Sequence, residues 1–327
     1  MRISGDWLHH PGTQALMQVL EGAGHTALFV GGCVRNALLG VSVSDVDVAT
    51  DATPETVSTL AQAAGFKPVP TGIDHGTVTI VAEGKPHEVT TFRRDVETDG
   101  RRAVVAFSDR IEDDAQRRDF TMNALYADRH GAVIDPLNGL PDLLARRVRF
   151  VGDPETRIRE DYLRILRFFR FHACYGDPEG GIDPEGLAAC AALAEGLDGI
   201  SKERITAELR KLLTAGDPSP AVAAMFQAGV LARVLPGADP RALGPLVHLE
   251  TGHLDADPPR WRRRLAVLGG DAEPLRLSKA EARFPVTAAD LMPALQGEAL
   301  GARLKELESR WLASGLALSR EDLLKGA

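Results

Sequence analysis

The fold of this chain is decided by Ala27-Leu-Phe-Val-Gly-Gly-Cys-Val-Arg-Asn-Ala-Leu-Leu-Gly40 and by Ser44-Asp-Val-Asp-Val48, which follows closely. The apolar run over 27–30 predicts a short strand, and the residues after the glycine pair predict a helix. Residues 43–49 alternate in character and predict a second strand. The result is a strand-turn-helix-strand unit.

Two carboxylates, Asp45 and Asp47, are two residues apart on the second predicted strand, so both side chains project from one face of the sheet. Like charges this close repel unless a cation neutralises them, and hard oxygen ligands suit Mg²⁺. Glu88, on a neighbouring predicted strand, is the candidate third carboxylate for two metal ions in an in-line phosphoryl displacement. The alternative is a solvated strand edge.

The glycine pair, Gly31 and Gly32, leaves a strand and enters a helix, which puts backbone N–H groups near a helix N-terminus. This arrangement predicts a cradle for a triphosphate. It lacks the Gly-Lys-Ser/Thr of a P-loop and the third glycine of a dinucleotide fingerprint. Cys33 is interpreted as a small buried thiol rather than a nucleophile.

Beyond this unit, 76–82 and 87–92 predict a hairpin across Glu83-Gly-Lys-Pro86. Residues 93–117 carry dense charge of both signs and predict a mobile loop or a short helix. From about 153 onward helical periodicity dominates. The expected organisation is a catalytic head over 1–145, a helical neck over 146–215 and a helical body and tail over 216–327.

The composition of the 327 residues, with 44% hydrophobic and only 5% aromatic content, predicts a sizeable, helix-rich core and about two domains. Three scattered cysteines indicate a reducing compartment. The N-terminus lacks a signal-type apolar segment and no apolar run is long enough to span a membrane, so a cytoplasmic location is expected. A net charge of −8 does not by itself indicate nucleic-acid binding.

Four further segments follow in chain order: Glu88-Val-Thr-Thr-Phe-Arg93, Arg117-Arg-Asp-Phe-Thr-Met-Asn-Ala-Leu125, Asp135-Pro-Leu-Asn-Gly-Leu-Pro-Asp-Leu143 and Arg159-Glu-Asp-Tyr-Leu-Arg164. With the opening stretch they resemble the successive motifs of the class II tRNA nucleotidyltransferases, the CCA-adding enzymes, and of their bacterial poly(A) polymerase relatives. The resemblance implies an α+β fold, in which a polymerase β-like head with a small mixed sheet precedes an all-α neck, body and tail. It also implies addition of C, C and A to tRNA from CTP and ATP, with two Mg²⁺ ions.

The resemblance also implies roles for individual residues. Nucleotide binding falls to Gly31, Gly32, Arg35, Arg118, Asp119 and Asn123. For Asp119, the alternative is a helix N-cap with an arginine partner. Structural support of the site falls to Gly139, Arg204 and Glu208. Asn36 stands where the family usually has Asp, which puts a metal or charge role at that position in doubt.

Base choice is predicted for Asp161 and Arg164, which are three apart in a helix expected over 160–171 and so share a face. Cytosine and adenine each present an amino donor beside a ring-nitrogen acceptor, whereas uracil and guanine present a carbonyl beside a ring N–H. An Asp acceptor and an Arg donor therefore fit C and A and reject U and G. The alternative is a surface salt bridge.

Two clusters of basic residues, over 157–170 and 259–264, could follow RNA phosphates. Contacts with tRNA are predicted for Arg167 in the first cluster and for Arg262 and Arg263 in the second. Three other functions stay open: a poly(A) polymerase, a partial enzyme that adds only C or only A, and an inactive tRNA-binding module. No His-Asp phosphohydrolase signature is evident in the C-terminal half. The oligomeric state is not predicted.

Overall fold

The computed structural model describes residues 1–73, 76–99, 102–250, 259–269, 286–292, 297–313 and 320–325. Two compact units divide the chain, Met1–Asp271 and Ala272–Ala327. The expected α+β fold is confirmed. The expected boundaries near 145 and 215 both fall inside the first unit and stay a prediction.

All strands of the described residues lie in the first unit. They are β1 (Ala27–Val30), β2 (Asp47–Thr50), β3 (Lys67–Gly72), β4 (Thr77–Ala82), β5 (Lys85–Thr91), β6 (Arg93–Asp99), β7 (Arg102–Phe107), β8 (Tyr126–Ala127) and β9 (Val133–Ile134). Seven form one mixed sheet in the order β3-β4-β5-β2-β1-β8-β9, in which β2 and β5 are parallel and the other pairs antiparallel. β6 and β7 form a separate hairpin.

The first unit also contains fourteen α-helices among its described residues. They are α1 (Asp6–His9), α2 (Pro11–Gly22), α3 (Gly32–Leu38), α4 (Pro54–Ala63), α5 (Ile111–Gln116), α6 (Leu140–Leu144), α7 (Pro154–Glu160), α8 (Leu163–Tyr175), α9 (Pro184–Ala192), α10 (Lys202–Thr214), α11 (Ser219–Gln227), α12 (Val230–Val234), α13 (Leu243–Leu249) and α14 (Arg260–Leu268). The sheet-bearing part therefore precedes an all-helical part.

The predicted hairpin between β4 and β5 is confirmed, with a turn at Glu83 and Gly84. Both turn residues have positive φ, 48° and 77°, as a type I′ turn requires. Helices α2 and α4 pack against the strands. A buried core cluster of the sheet includes Leu28, Ala49 and Phe92. This packing fixes the ends of β2 and β5, where the candidate site lies.

The segment 93–117 differs from the expected loop. It forms the β6–β7 hairpin followed by α5, so the loop prediction is wrong and the short-helix prediction holds for 111–116. The β-branched residues Val96, Thr98, Val104 and Val105 favour extended backbone despite the surrounding charges. Charge density alone was therefore a poor guide to this segment.

An aromatic cluster fills the start of the helical part. Phe120 lies 5.0 Å from Phe150 and 4.9 Å from Phe171 between ring centroids, and Phe150 stacks on Phe168 at 5.4 Å. Helix α8 contacts α10 and α11. The cluster therefore packs the segment that follows α5 against helix α8, near the start of the helical part.

The second unit consists, in its described residues, of α15 (Ala288–Leu291), α16 (Gly297–Ala313) and α17 (Arg320–Leu324). Its core cluster contains Val286, Leu291, Leu307 and Leu323. Within the described part of the chain, no helix is both long enough and apolar enough to cross a membrane.

Candidate active site

The candidate metal-binding carboxylates lie at the start of β2. Asp47 is the first residue of the strand and is in register with Glu88 on the parallel strand β5, so these two carboxylates lie on one face of the sheet. Asp45 precedes the strand, and its carboxylate accepts from the Ser44 hydroxyl at 2.8 Å. The predicted strand 43–49 begins too early, because β1 and β5 offer register partners only from Asp47 onward. The expectation that Asp45 and Asp47 share a face as members of one strand is therefore wrong for Asp45.

The ionised carboxylate of Asp47 lies in an unfavourable environment. Burial raises the pKa of Asp47 to about 6, and the charges of Glu88 and Asp45 add to the rise while Arg118 opposes it. A divalent cation would offset this repulsion. Among the described residues, no three His, Cys, Asp or Glu side chains converge to hold a metal ion. The donors thus fit a hard cation bound by one or two carboxylates together with substrate phosphates. Ligation by Glu88 stays a prediction.

The predicted phosphate cradle is built on a glycine turn. Gly31 has φ 68°, which favours glycine, and a Cβ there would lie only 3.1 Å from Nη1 of Arg118. Its N–H donates to the Leu125 carbonyl at 3.1 Å, so this amide is already used. The amides of the first turn of α3, from Gly32 on, have no acceptor within the helix. The groups available for the predicted cradle are therefore these amides and the Arg118 guanidinium.

The thiol of Cys33, next to this turn, is buried and donates to the Val30 carbonyl at 3.3 Å. Burial raises the pKa of Cys33 to about 11. A thiol that stays protonated at neutral pH is a poor nucleophile. This agrees with the interpretation of Cys33 as a packing residue.

Arg118 is fixed by two side chains that the sequence interpretation missed. The Asp114 carboxylate accepts from Arg118 Nη2 at 2.8 Å and from the Tyr126 hydroxyl at 2.7 Å. Asp114 is 1% exposed. Burial alone would raise the pKa of Asp114, but Arg118 and Tyr126 hold it below its usual range. The i,i+4 spacing of Asp114 and Arg118 on and just after α5 was the available signal.

Asp119 and Asn123, predicted to bind nucleotide, are hydrogen-bonded to each other. Asp119 accepts from the Asn123 side-chain amide at 2.8 Å and from the Phe120 N–H at 2.9 Å. Its other oxygen accepts from Arg167, the residue predicted to contact RNA. Their substrate roles stay predictions, and the geometry gives Arg167 a positioning role through Asp119.

Arg35, predicted to bind nucleotide, is only 7% exposed. It donates to Asn123 Oδ1 and, at 2.9 Å, to the Tyr175 hydroxyl, and its guanidinium lies 4.1 Å from the centroid of the Tyr175 ring. Asn123 lies before α8 and Tyr175 is its last residue, 140 positions from Arg35, so these contacts were not visible in the sequence. Arg35 thus joins α3 to α8, and a direct nucleotide contact stays a prediction.

The base-choice residues lie at a helix break rather than within one helix. Asp161 has extended backbone, φ −157° and ψ 104°, between α7 and α8, so the helix predicted over 160–171 begins only at Leu163 and does not include Asp161. Its carboxylate accepts from the Leu163 N–H at 3.2 Å, a local bond that competes with helix continuation. Its other oxygen accepts from Arg204 at 2.7 Å. The break nevertheless keeps Arg164 one turn away, because its N–H donates to the Asp161 carbonyl.

Arg164 is oriented by its own neighbours. It donates to the Glu160 carboxylate and, at 2.7 Å, to the Arg157 carbonyl. Tyr162, between the two base-choice residues, lies against the turn at Gly196, where a Cβ would be 1.9 Å from the tyrosine ring. Neither Glu160 nor Gly196 was singled out in the sequence. Glu160 contacts Arg164 directly, and Gly196 contacts the tyrosine between the two residues.

The predicted supporting residues contact the site's framework. A Cβ at Gly139 would lie 2.3 Å from the Thr121 carbonyl oxygen, so only glycine allows this approach. Glu208 on α10 accepts from Arg170 on α8 at 2.5 Å. Together with the Arg204–Asp161 bond, this places α10 as a brace for the base-choice segment. Their roles stay predictions that the contacts favour.

The second predicted RNA cluster is partly engaged within the protein. Arg263 donates to Glu250 at 2.9 Å, whereas Arg262 is exposed and lies 5.2 Å from the Trp261 ring centroid. The neighbouring Arg264 is 1% exposed and donates to Glu250 and to the Leu213 carbonyl, which fastens α14 to the end of α10. Of the two predicted RNA contacts, Arg262 remains the more accessible.

Comparison with known proteins finds matching family models, curated relatives and solved structures. Residues 27–149 match the poly A polymerase head domain, and residues 181–241 match a probable RNA and SrmB-binding site of polymerase A. The chain is 43% identical over 220 residues to the mitochondrial CCA tRNA nucleotidyltransferase 1 of Mus musculus, which covers 67% of this chain and 51% of that protein. It is 43% identical over 217 residues to the CCA-adding enzyme of Levilactobacillus brevis, covering 66% and 53%. The chain therefore spans about half the length of these curated relatives.

A solved structure matches over more of its length. The CCA-adding enzyme of Bacillus stearothermophilus, crystallised in complex with CTP, has a TM-score of 0.68 and 30% identity, covering 96% of this chain and 86% of that one. A tRNA nucleotidyltransferase complexed with a primer tRNA and an incoming ATP analog shares the fold, with a TM-score of 0.67 and 22% identity over 94% and 93%. The head-domain match contains β1, β2 and β5, the strands that carry the glycine turn and the carboxylates. On these similarities, the chain belongs to the class II tRNA nucleotidyltransferase family, the CCA-adding enzymes and their poly(A) polymerase relatives.

Proposed function

We propose that this protein adds C, C and A to the 3′ end of tRNA from CTP and ATP, without a nucleic-acid template, and releases pyrophosphate. The observation that carries the proposal is the register of Asp47 with Glu88 beside Arg118. It brings carboxylates that could hold a metal ion near a guanidinium that could bind a phosphate. The relatives named for CCA addition and the solved complexes with CTP, with an ATP analog and with tRNA support the choice of substrates.

The family is generally metal-dependent. In this chain, Asp45 and Asp47 would hold two Mg²⁺ ions. Bound there, the ions would neutralise the phosphates and polarise the attacking hydroxyl. The O3′–phosphorus bond forms while the bond from the α-phosphorus to the pyrophosphate oxygen breaks, and the hydroxyl proton passes to solvent. Arg118 and the first-turn amides of α3 hold the phosphates. Because the RNA hydroxyl attacks the α-phosphorus directly, no covalent enzyme intermediate is required.

Base choice follows from the donors and acceptors of Asp161 and Arg164. Asp161 accepts from the amino group of cytosine or adenine, and Arg164 donates to the adjacent ring nitrogen. Uracil and guanine would leave both side chains unpaired, which is where hydrogen-bonded sites discriminate most. Arg204 and Glu160 are bonded to the two side chains and set their orientation.

The test uses a tRNA transcript that ends at the discriminator base, incubated with CTP, ATP, both or neither, with homopolymer RNA as a parallel acceptor. We expect addition of two C residues with CTP alone, completion to C-C-A with both nucleotides, and release of one pyrophosphate per addition. A long A tract would indicate a poly(A) polymerase, and addition of only C or only A would indicate a partial enzyme. A tRNA that is not extended with any nucleotide mixture would indicate an inactive tRNA-binding module.

A further inference from the structure

Arg35 on α3 is a buried cation held by neutral acceptors. The residue is only 7% exposed. Its guanidinium donates from Nε and Nη2 to Asn36 Oδ1, at 3.2 and 2.9 Å, and also to Asn123 Oδ1 and to the Tyr175 hydroxyl. In the described part of the chain no carboxylate accepts a hydrogen bond from it, and Asp119 attracts it only from a longer distance. Burial therefore lowers the pKa of Arg35, and its positive charge lacks the close counter-charge that buried cations normally have.

The side chain of Asn36 also reaches the loop that leads to the carboxylates. Its Nδ2 donates to the Ser42 carbonyl at 3.0 Å, while its backbone carbonyl accepts from the Val41 N–H at 2.9 Å. Asp45 follows Ser42 by three residues and comes before β2, so the sheet does not fix it. One residue at the end of α3 thus contacts both the Arg35 guanidinium and the segment that presents Asp45.

Only an amide can make both side-chain contacts of Asn36. A carboxamide has an oxygen that accepts and an NH₂ group that donates, whereas a carboxylate only accepts. An aspartate at this position would keep the contact with Arg35 and would turn it into an ion pair. Its second oxygen would then face the Ser42 carbonyl oxygen in place of a donor. The asparagine therefore combines a neutral partner for Arg35 with a tie to the loop.

We propose that Asn36 is a positioning residue that links the nucleotide's phosphate site to the metal site. Its oxygen orients Arg35 without neutralising it, which keeps the positive charge for the triphosphate. Its NH₂ group fixes the loop that presents Asp45 to the metal ion. The proposal rests on the proposed function, which brings a nucleoside triphosphate and a divalent cation to these two places.

Two substitutions separate the two contacts. Asn36→Asp adds a counter-charge for Arg35 and removes the loop contact. Asn36→Ala also removes the loop contact but leaves Arg35 charged, with Asn123 and Tyr175 still accepting from it. Alanine favours the helix, so this variant should fold. Gln62→Glu is the matched control, because it makes the same amide-to-carboxylate change at an exposed position on α4.

The first measurement is CTP binding in EDTA by isothermal titration calorimetry, which reports the charge at Arg35 without a metal ion. We expect Asn36→Asp to bind CTP about tenfold more weakly than wild type, the size of one net hydrogen bond to a charged group. Asn36→Ala and Gln62→Glu should bind CTP as wild type does. Wild-type affinity in Asn36→Asp would overturn the proposal.

The second measurement is Mn²⁺ binding at saturating CTP by electron paramagnetic resonance, with steady-state C addition on the same samples. Both Asn36 variants should bind Mn²⁺ several-fold more weakly than the control. Asn36→Ala should lower kcat at least about tenfold with little change in KM for CTP, because misplacement of a group by about 1 Å can cost 10²-fold in rate. Mn²⁺ affinity and kcat equal to the control's in Asn36→Ala would overturn the proposal.

The binding measurements need no RNA, so they distinguish this proposal from the proposed function. If the variants bind CTP and Mn²⁺ as expected but the wild type does not extend tRNA, the proposed function is wrong and the role of Asn36 stands. If the wild type extends tRNA but both Asn36 variants behave as Gln62→Glu does, the role of Asn36 is wrong and the proposed function stands.

Discussion

Replacing Asp114 by Asn should disable the site by releasing Arg118. The Asp114 carboxylate accepts from Arg118 Nε at 3.2 Å and Nη2 at 2.8 Å, and from the Tyr126 hydroxyl at 2.7 Å. All three donors bond to the same oxygen, Oδ2, so an asparagine can keep an acceptor there, but it removes the charge and puts an NH₂ group in place of Oδ1, which lies 3.9 Å from Arg117 Nη1. Removing one partner of a buried pair costs about 3–5 kcal/mol. Because the Arg118 side chain is 21% exposed and can be partly rehydrated, we expect the lower end, about 3 kcal/mol.

Activity should fall through the same displacement. A guanidinium that no longer faces the Gly31 turn cannot pair with the phosphates, and loss of one preorganised donor costs about 10²-fold in rate. Urea unfolding and kcat/KM for CTP measure the two effects. Glu112→Gln on α5 is the matched control, since that carboxylate is 45% exposed in a surface pair with Arg110 and should cost less than about 1 kcal/mol. Equal stability and equal kcat/KM in the two variants would refute the positioning role of Asp114.

The pH dependence gives a second measure of the same pair. The pKa of Asp114 is held below its usual range, so its stabilising contribution is complete above about pH 4 and is lost as the pH falls through the folded-state pKa. Wild type should therefore lose more stability than Asp114→Asn on acidification below pH 4. Parallel stability curves for the two proteins would show that the carboxylate is not paired.

Three further changes test other parts of the structure. Burial and like charges raise the pKa of Asp47 to about 6, so its ionised form opposes folding above that pH. In EDTA, Asp47→Asn should therefore raise the free energy of unfolding by about 2–3 kcal/mol over wild type at pH 8 and leave it unchanged at pH 3, as measured by thermal melting. Gly196→Ala would put a Cβ 1.9 Å from the Tyr162 ring, so it should cost about 1–3 kcal/mol and raise kcat/KM for UTP relative to CTP; unchanged selectivity would remove Tyr162 from base choice. Arg264→Met should lower the free energy of unfolding in urea by about 3–5 kcal/mol, because it leaves Glu250 and the end of α10 without their buried donor. The control Arg262→Met, at an exposed position, should change it by no more than about 0.5 kcal/mol.

Local sequence predicted the parts of the fold that depend on neighbours in the chain. The strand before Gly31, the helix after Gly32 and the hairpin turn at Glu83 and Gly84 follow from periodicity and backbone preferences that act over a few residues. The position of Asp47 relative to Glu88 followed once both were assigned to strands. The resemblance then supplied the order of the remaining motifs.

The contacts that orient the site were beyond local sequence because their partners are far apart in the chain. Arg35 bonds to Tyr175, 140 positions away, and Asp161 bonds to Arg204, 43 positions away. The helix break at Asp161 depends on its own capping bond and on the packing of Tyr162 against Gly196, which helical periodicity cannot register. Such contacts are set by tertiary packing, so they appear only in the structure.

The central claim is that Asp45 and Asp47 hold the catalytic cation for transfer to tRNA, and Mn²⁺ binding followed by electron paramagnetic resonance tests it most directly. Wild type, the Asp45→Asn, Asp47→Asn double variant and the control Asp51→Asn are titrated with Mn²⁺ and CTP, and each sample is then assayed for C addition. Asp51 follows the opposite end of β2 and is bonded to His25. We expect wild type and the control to bind Mn²⁺ with CTP and to extend tRNA, and the double variant to do neither. A double variant that still binds the ion and adds C would contradict the account.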